Sequence, residues 1–203
     1  MSQAAEPVYA TLLRYTKALS VALGLRDSLT RMHSERVLGL SEAIGIAYSL
    51  SERELTILKF AAAFHDIGKI GIPDQILKKP SALNDDEWDT MKRHSCMGEE
   101  IITATELPEA PQVARIIRHH HEHFDGHGYP DGLATDQIPL CSRIISIADS
   151  YDAMAMTRQY HPAKTHREIM TVLHRETEEK HHPEVMEVFC RIIESSQYKT
   201  SAN

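Results

Sequence analysis

The stretch SERELTILKFAAAFHDIGK, residues 51–69, decides the fold class. Ser51 followed by Glu54 is a capping-box pattern, in which each side chain takes up the other's free backbone N–H at a helix start. Leu58, Ala62 and His65 then share one face at helical spacing. Gly68 breaks the period, and Gly71 and Pro73 open a loop. The helix thus carries an imidazole on its apolar face and a carboxylate, Asp66, immediately after it. A single histidine of this kind is commonly a hydrogen-bonded core residue, so its meaning depends on the rest of the chain.

The same pattern recurs on both sides. His33, Val37, Leu40 and Ile44 fall at i, i+4, i+7 and i+11 in a helix expected over 27–50. Met91, His94, Gly98 and Ile101 share a face in one expected over 84–105, capped by Asn84. Val113, Ile116 or Ile117, and His120 do so over 108–124, with His121 beside them. Ile145, Asp149, Asp152 and Met156 line up over 143–157. Further helices are expected over 8–23, 162–180 and 183–196. No alternating strand pattern of useful length occurs, so the chain reads as one all-α domain with a helical lead-in.

Five helices therefore aim a His or Asp inward. A buried polar group without a partner costs roughly 2–7 kcal/mol, and a charge more. A shared cation offsets that cost for all of them together. Imidazole with carboxylate suits Fe, Mn, Zn, Ni or Co better than Mg or Ca. Adjacent side chains on a helix diverge by about 100°, so His65 and Asp66 reach one site only at a bend, which Gly68 supplies. Asp66 can bridge two ions with its two oxygens. Lys69, one turn on, has its ammonium free to meet a phosphate, or else caps the helix end.

Residues 120–130 form the second dense string, HHEHFDGHGYP. Its glycines and proline put the backbone in tight turns. Tyr129 is suited to stacking on a base; otherwise it is a turn tyrosine packed on a neighbouring helix.

The bulk properties bound the rest. The 203 residues carry 13 histidines, three scattered cysteines and a net charge of −7. The acidic balance argues against a nucleic-acid polymer as partner. No apolar run approaches the ~20 residues of a membrane span, and the first ten residues have no secretory pattern. Without CxxC spacing, reduced thiols in a cytoplasmic protein are the expectation.

At His65-Asp66, Lys69 and the 120–130 string the sequence resembles the HD-GYP family of cyclic dinucleotide phosphodiesterases, a subset of the HD superfamily. Asp27, Thr30, His33, Arg36 and Val37 upstream match it too. So do Ala148-Asp149, Tyr151-Asp152-Ala153-Met154, Arg158 and Tyr160 downstream. The resemblance spans about 27–189. It implies a single helical-bundle HD-type domain of about seven to eight helices over 27–196, after a lead-in or linker over 1–26 and before a frayed tail over 197–203.

By resemblance, one divalent transition-metal ion is held by His33, His65, Asp66 and Asp149. A second is held by Asp66, His94, His120 and His121. Fe or Mn is expected first, then Ni, Co or Zn. Some family members hold a third ion with a Glu one turn before the first His; Leu29 stands here, which implies two. Lys69 and Asp66 take catalytic roles, and Gly128, Tyr129, Asp152 and Arg158 contact substrate. Glu122 and Asp125 are expected to orient the ligating imidazoles. The implied reaction is metal-assisted opening of cyclic di-GMP to linear pGpG, and on to GMP, with hybrid cyclic GMP-AMP as a variant. A cyclase domain of the GGDEF type, or an upstream sensor or receiver domain, is the implied partner. The sequence departs from the family at Ala155-Met156-Thr157 and His161, where a basic residue is usual, and at His181-His182-Pro183. A competing reading is a module that binds the dinucleotide or a partner protein without turnover; the complete ligand set and Lys69 argue against it, while Thr157 and His161 keep it open. A general HD phosphohydrolase acting on nucleotides is a further alternative.

Overall fold

The computed structural model describes residues 21, 24, 28–156 and 163–200, with side chains from Met32 onward in the first helix. The described elements are α1 (Ser28–Ala47), α2 (Glu52–Phe64), a 3-10 turn (Ile67–Gly71), α3 (Asp74–Leu77), α4 (Asp85–Lys92), α5 (His94–Thr103), α6 (Ala110–Arg118), a second 3-10 turn (Thr135–Gln137), α7 (Leu140–Ala155), α8 (His166–Arg175) and α9 (Pro183–Ile193). No strand occurs among the described residues, only an isolated bridge between Thr177 and His181. The all-α expectation holds. The helix expected over 8–23 lies outside the described residues apart from Val21.

Local chemistry starts three of these helices. Capping boxes open α2 (Ser51 with Glu54), α4 (Asn84 with Glu87) and α8 (Thr165 with Glu168). The long α1 packs on α2, α7 and α9, while α5 packs on α6 and the first 3-10 turn. Their inward faces share one core that includes Leu40, Leu58, Phe64, Ile117, Ile144, Ile145 and Phe189, all at most 1% exposed. Each such side chain contributes about 1.5–3 kcal/mol by leaving water.

Three expected helices are cut differently. The one over 84–105 is two helices, broken at Arg93, whose N–H bonds back to Thr90 O and leaves His94 to start α5. The one over 108–124 stops at Arg118. Continued as helix, it would splay His120 and His121 about 100° apart; ended there, both rings turn to the same side. The one over 162–180 begins instead at His166, capped by Thr165. Of the expected tail, residues 197–200 are described: the Thr200 N–H donates to the Tyr151 hydroxyl oxygen at 3.1 Å, and Tyr198 lies across Gly39.

Candidate metal centre

His65 ends α2, His94 begins α5, and His120 follows α6. Each ring is fixed the same way. Nδ1 donates to the backbone carbonyl three residues earlier: His65 to Ala62 O at 2.8 Å, His94 to Met91 O at 2.8 Å, His120 to Ile117 O at 2.6 Å. A carbonyl only accepts, so the proton sits on Nδ1 and the Nε2 lone pair is left bare. All three Nε2 atoms are buried with no hydrogen-bond partner in the protein. Neutral imidazoles with one nitrogen pinned to the backbone and the other bare are the form a metal takes.

Asp66 lies between them. Its Oδ2 is 3.5 Å from His65 Nε2 and its Oδ1 is 3.6 Å from His94 Nε2. The third contact is Lys69 Nζ, which donates to Oδ2 at 2.7 Å. Burial would raise the Asp66 pKa, but Lys69, His65, His94 and His33 outweigh it and hold the carboxylate well below its usual range. The spacing depends on Gly68: a Cβ there would sit 1.9 Å from the His94 carbonyl oxygen. Only a glycine lets the turn after Asp66 press against the start of α5.

Two sets of donors result. His33, His65 and Asp66 have ligand atoms within 4.8 Å of one another, as do His94, His120 and His121. Asp149 joins the first set, its Oδ1 3.0 Å from His33 Nε2. The rings of His33, His65, His120 and His94 follow one another at 5.2–5.4 Å between centroids. Burial, then the neighbouring His65 and His94, push the His120 pKa down to about 3. His94 is lowered by burial, and His121 well lowered by burial and then His120. His33 goes the other way. Burial lowers it, but hydrogen bonds to Asp149 and Asp152 raise it to about 9. The structure thus brings all seven expected ligands around one centre. Its floor is His65, Asp66, His94 and His120, and His121 and Asp149 are its more open edge.

The donor set fits metal binding. It combines imidazoles with carboxylates, and the two oxygens of Asp66 face the two sets separately. A third group, His119, Glu122 and Asp131, does not fit. Both ring nitrogens of His119 are bonded, to Arg115 O and Asp131. Asp131 is also held by Arg118.

Several residues take places the sequence did not indicate. Asp152, expected to touch substrate, accepts from His33 Nδ1 at 2.7 Å and from Arg36 Nε and Nη2 at 2.7 and 3.0 Å. It stands behind His33, facing α1. Arg36 was visible only as a match to the family; the clue to its role is its place one turn after His33 on a helix. Glu122 hydrogen-bonds none of the candidate ligand imidazoles. It accepts the backbone N–H groups of Asp131 and Leu133 at 2.7 and 3.0 Å and so ties down the 126–133 loop. Asp125 bonds the N–H of His127 within that loop. Gly128 lies against the His123 and Glu122 backbone, where a Cβ would come within 2.2 Å of His123 N. This contact places Tyr129 with its ring stacked on His121, centroids 4.8 Å apart at 30°. Burial raises the Tyr129 pKa, so its hydroxyl stays protonated. Trp88, which sequence reasoning missed, meets the Tyr129 ring edge to face at 6.2 Å. Arg158, Thr157 and His161 lie outside the described residues, as does the side chain of Leu29.

A cyclic di-GMP phosphodiesterase of Thermotoga maritima is 39% identical over 181 residues, which is 89% of this chain and 49% of that protein. A 3'3'-cGAMP-specific phosphodiesterase of Vibrio cholerae is 35% identical over 84% of this chain and 33% of its own length. The chain therefore spans between a third and a half of these relatives. Among solved structures, a cyclic GMP-AMP specific phosphodiesterase of V. cholerae aligns with a TM-score of 0.69 at 21% identity, over 91% of this chain and 49% of that one. The HD domain of the Listeria monocytogenes phosphodiesterase PgpH aligns at 0.62 and 17%, over 85% and 91%. At these identities the structural likeness speaks for the fold. The family model for the HD domain matches residues 17–185, and with that span and this fold the chain belongs to the HD domain family.

Proposed function

We propose that this domain is a metal-dependent phosphodiesterase of the HD-GYP type that opens cyclic di-GMP to linear pGpG and on to GMP. The observation that carries the proposal is Asp66, with one oxygen 3.5 Å from His65 Nε2 and the other 3.6 Å from His94 Nε2. Such a carboxylate serves two sites at once. His33, His65, Asp66 and Asp149 would hold one divalent ion and Asp66, His94, His120 and His121 the other, with Fe or Mn the first candidates. When bound, the ion pair supplies Lewis acidity and brings the pKa of water toward neutrality.

The chain's own groups do the rest. Lys69 Nζ bonds Asp66 through one of its three N–H groups, leaving the others for a non-bridging phosphate oxygen. The Tyr129 ring lies over His121 and shields that edge from water. Gly128 gives the loop the close backbone approach that sets Tyr129 there. Arg158 remains a proposed contact to base or phosphate. Relatives named for cyclic GMP-AMP favour the hybrid dinucleotide as a second substrate. Among the described residues no helix is long and apolar enough to cross a membrane; we propose a cytoplasmic domain governed by a receiver, sensor or cyclase domain.

The test is turnover of cyclic di-GMP by protein prepared without air and supplied with Fe(II) or Mn(II), with products separated by chromatography. Linear dinucleotide or GMP that vanishes in the His65→Ala, Asp66→Ala double variant is the expected result. Retention of the dinucleotide by metal-loaded protein without any product would turn the reading to a binding module.

A further inference from the structure

Trp88 is the only tryptophan in the chain, and it is 46% exposed. Indole is a large apolar surface to leave in water, and nothing in the fold requires it there. The helix that carries it, α4, buries none of its residues. That helix is held by its Asn84–Glu87 capping box and by the Lys79–Glu87 ion pair, so Trp88 does not anchor it.

Its position gives it a use. The indole meets Tyr129 at 6.2 Å and 83°, and Tyr129 in turn stacks on His121 at 4.8 Å. Three rings therefore step from the protein surface to a candidate metal ligand. An edge-to-face contact leaves indole surface in water, as the 46% exposure shows. The helix around it is acidic, with Asp85, Asp86, Glu87 and Asp89. Glu87 and Asp89 are paired with Lys79 and Lys92, and Asp85 and Asp86 leave the helix start acidic, so an uncharged planar group rather than a phosphate is the part of a nucleotide that suits this surface.

We propose that Trp88 is a base-stacking residue: its exposed surface receives one purine of the cyclic dinucleotide while the phosphodiester lies at the metal centre two rings away. Every base has a π face, so such a contact strengthens binding without selecting strongly between purines. This inference rests on the cyclic dinucleotide reading above.

Because Trp88 is the sole tryptophan, fluorescence excited at the red edge of tryptophan absorption reports it alone. Rapid mixing of metal-loaded protein with cyclic di-GMP is expected to quench that emission before product forms. Trp88→Leu is expected to raise KM about ten-fold while kcat stays within about two-fold, and Trp88→Phe to recover most of the loss. Unchanged emission at saturating substrate, with a wild-type KM in Trp88→Leu, overturns the proposal. So does a Trp88→Leu protein that loses kcat, metal content and Tm together, because that is a structural role. The two readings fail separately. Turnover with neither quenching nor a KM change keeps the phosphodiesterase and removes the base contact. Quenching without turnover keeps the contact and removes the phosphodiesterase.

Discussion

Arg36 holds Asp152 in a two-pronged contact, Nε to Oδ1 at 2.7 Å and Nη2 to Oδ2 at 3.0 Å, and the same Oδ2 accepts from His33 Nδ1 at 2.7 Å. With Nδ1 occupied, His33 turns Nε2 toward Asp149 at 3.0 Å. The guanidinium thus acts on the candidate metal ligand through a carboxylate. Asp152→Asn is expected to weaken metal binding about 10–100-fold at the His33 set and to leave the His94 set loaded. Arg36→Lys should fall between, because an ammonium cannot reproduce the planar fork. Metal analysis after dialysis checks this: one ion retained per chain is expected, and loss of both or of neither contradicts the assignment.

Lys69 touches the same centre from the other side. Its ammonium is 2.7 Å from Asp66 Oδ2, and its side chain is about a quarter exposed. If its role is to offset charge on phosphate, Lys69→Met should cut kcat about 10²–10³-fold with metal content near the wild-type value. Single-turnover kinetics beside metal analysis separates this from loss of ions; a fall in metal content matching the fall in rate would make Lys69 a support for Asp66 only.

The ligand types were legible because they depend on short-range pattern. His33, Asp149 and the His65-Asp66 pair each stand at helical spacing from apolar neighbours, and a buried imidazole needs a reason wherever it occurs. The places where the reading slipped depend on contacts distant in sequence. Arg93 breaks a helix that periodicity carries through, and His94 then lies against Gly68, 26 residues earlier. The end of α6 at Arg118 answers to the loop beyond it, where the Tyr129 N–H bonds His121 O. Asp152 shares its helix face with Asp149, as its spacing indicates, but its oxygens turn to Arg36 on α1, a partner 116 residues away. Glu122 likewise bonds forward, to N–H groups nine and eleven residues on.

Glu122 supplies the next expectation. It is 2% exposed and its two oxygens take the N–H groups of Asp131 and Leu133. Removing it leaves two backbone donors without partners, at about 1–3 kcal/mol each where they stay buried. Glu122→Ala is therefore expected to lower Tm and, by releasing the loop that seats Tyr129 on His121, to raise KM for the dinucleotide. Glu122→Gln keeps one acceptor oxygen and should recover part of both. A variant with lowered Tm but wild-type KM would separate the loop from substrate binding.

The metal-free protein should be most stable near neutral pH and lose stability on both sides, for opposite reasons. On the acid side, His94, His120 and His121 are held neutral in the fold, His120 down to about 3. Their unfolded value is 6.5. Below that the unfolded chain takes up protons that the fold refuses, so stability falls as pH falls, by at most about 1.4 kcal/mol per pH unit for each histidine. His33 opposes this slope only toward pH 6.5, because by about pH 5.5 it is protonated in both states. On the alkaline side it dominates. Its folded pKa is raised to about 9 by Asp149 and Asp152 despite burial. The stability it contributes is complete below 6.5 and is lost as pH rises through 9. Buried carboxylates with lowered pKa values act only in stronger acid, so the interval from about pH 5.5 to 6.5 isolates the histidines. Thermal unfolding in chelator across this range checks the shape, and His120→Asn should flatten the acid limb. Saturating Fe(II) or Mn(II) should raise Tm and move the maximum upward, since an ion displaces the proton on His33 and binds neutral imidazoles. A profile that is flat from about pH 5.5 to 6.5, or that rises toward acid, would mean that these imidazoles are not held neutral by burial.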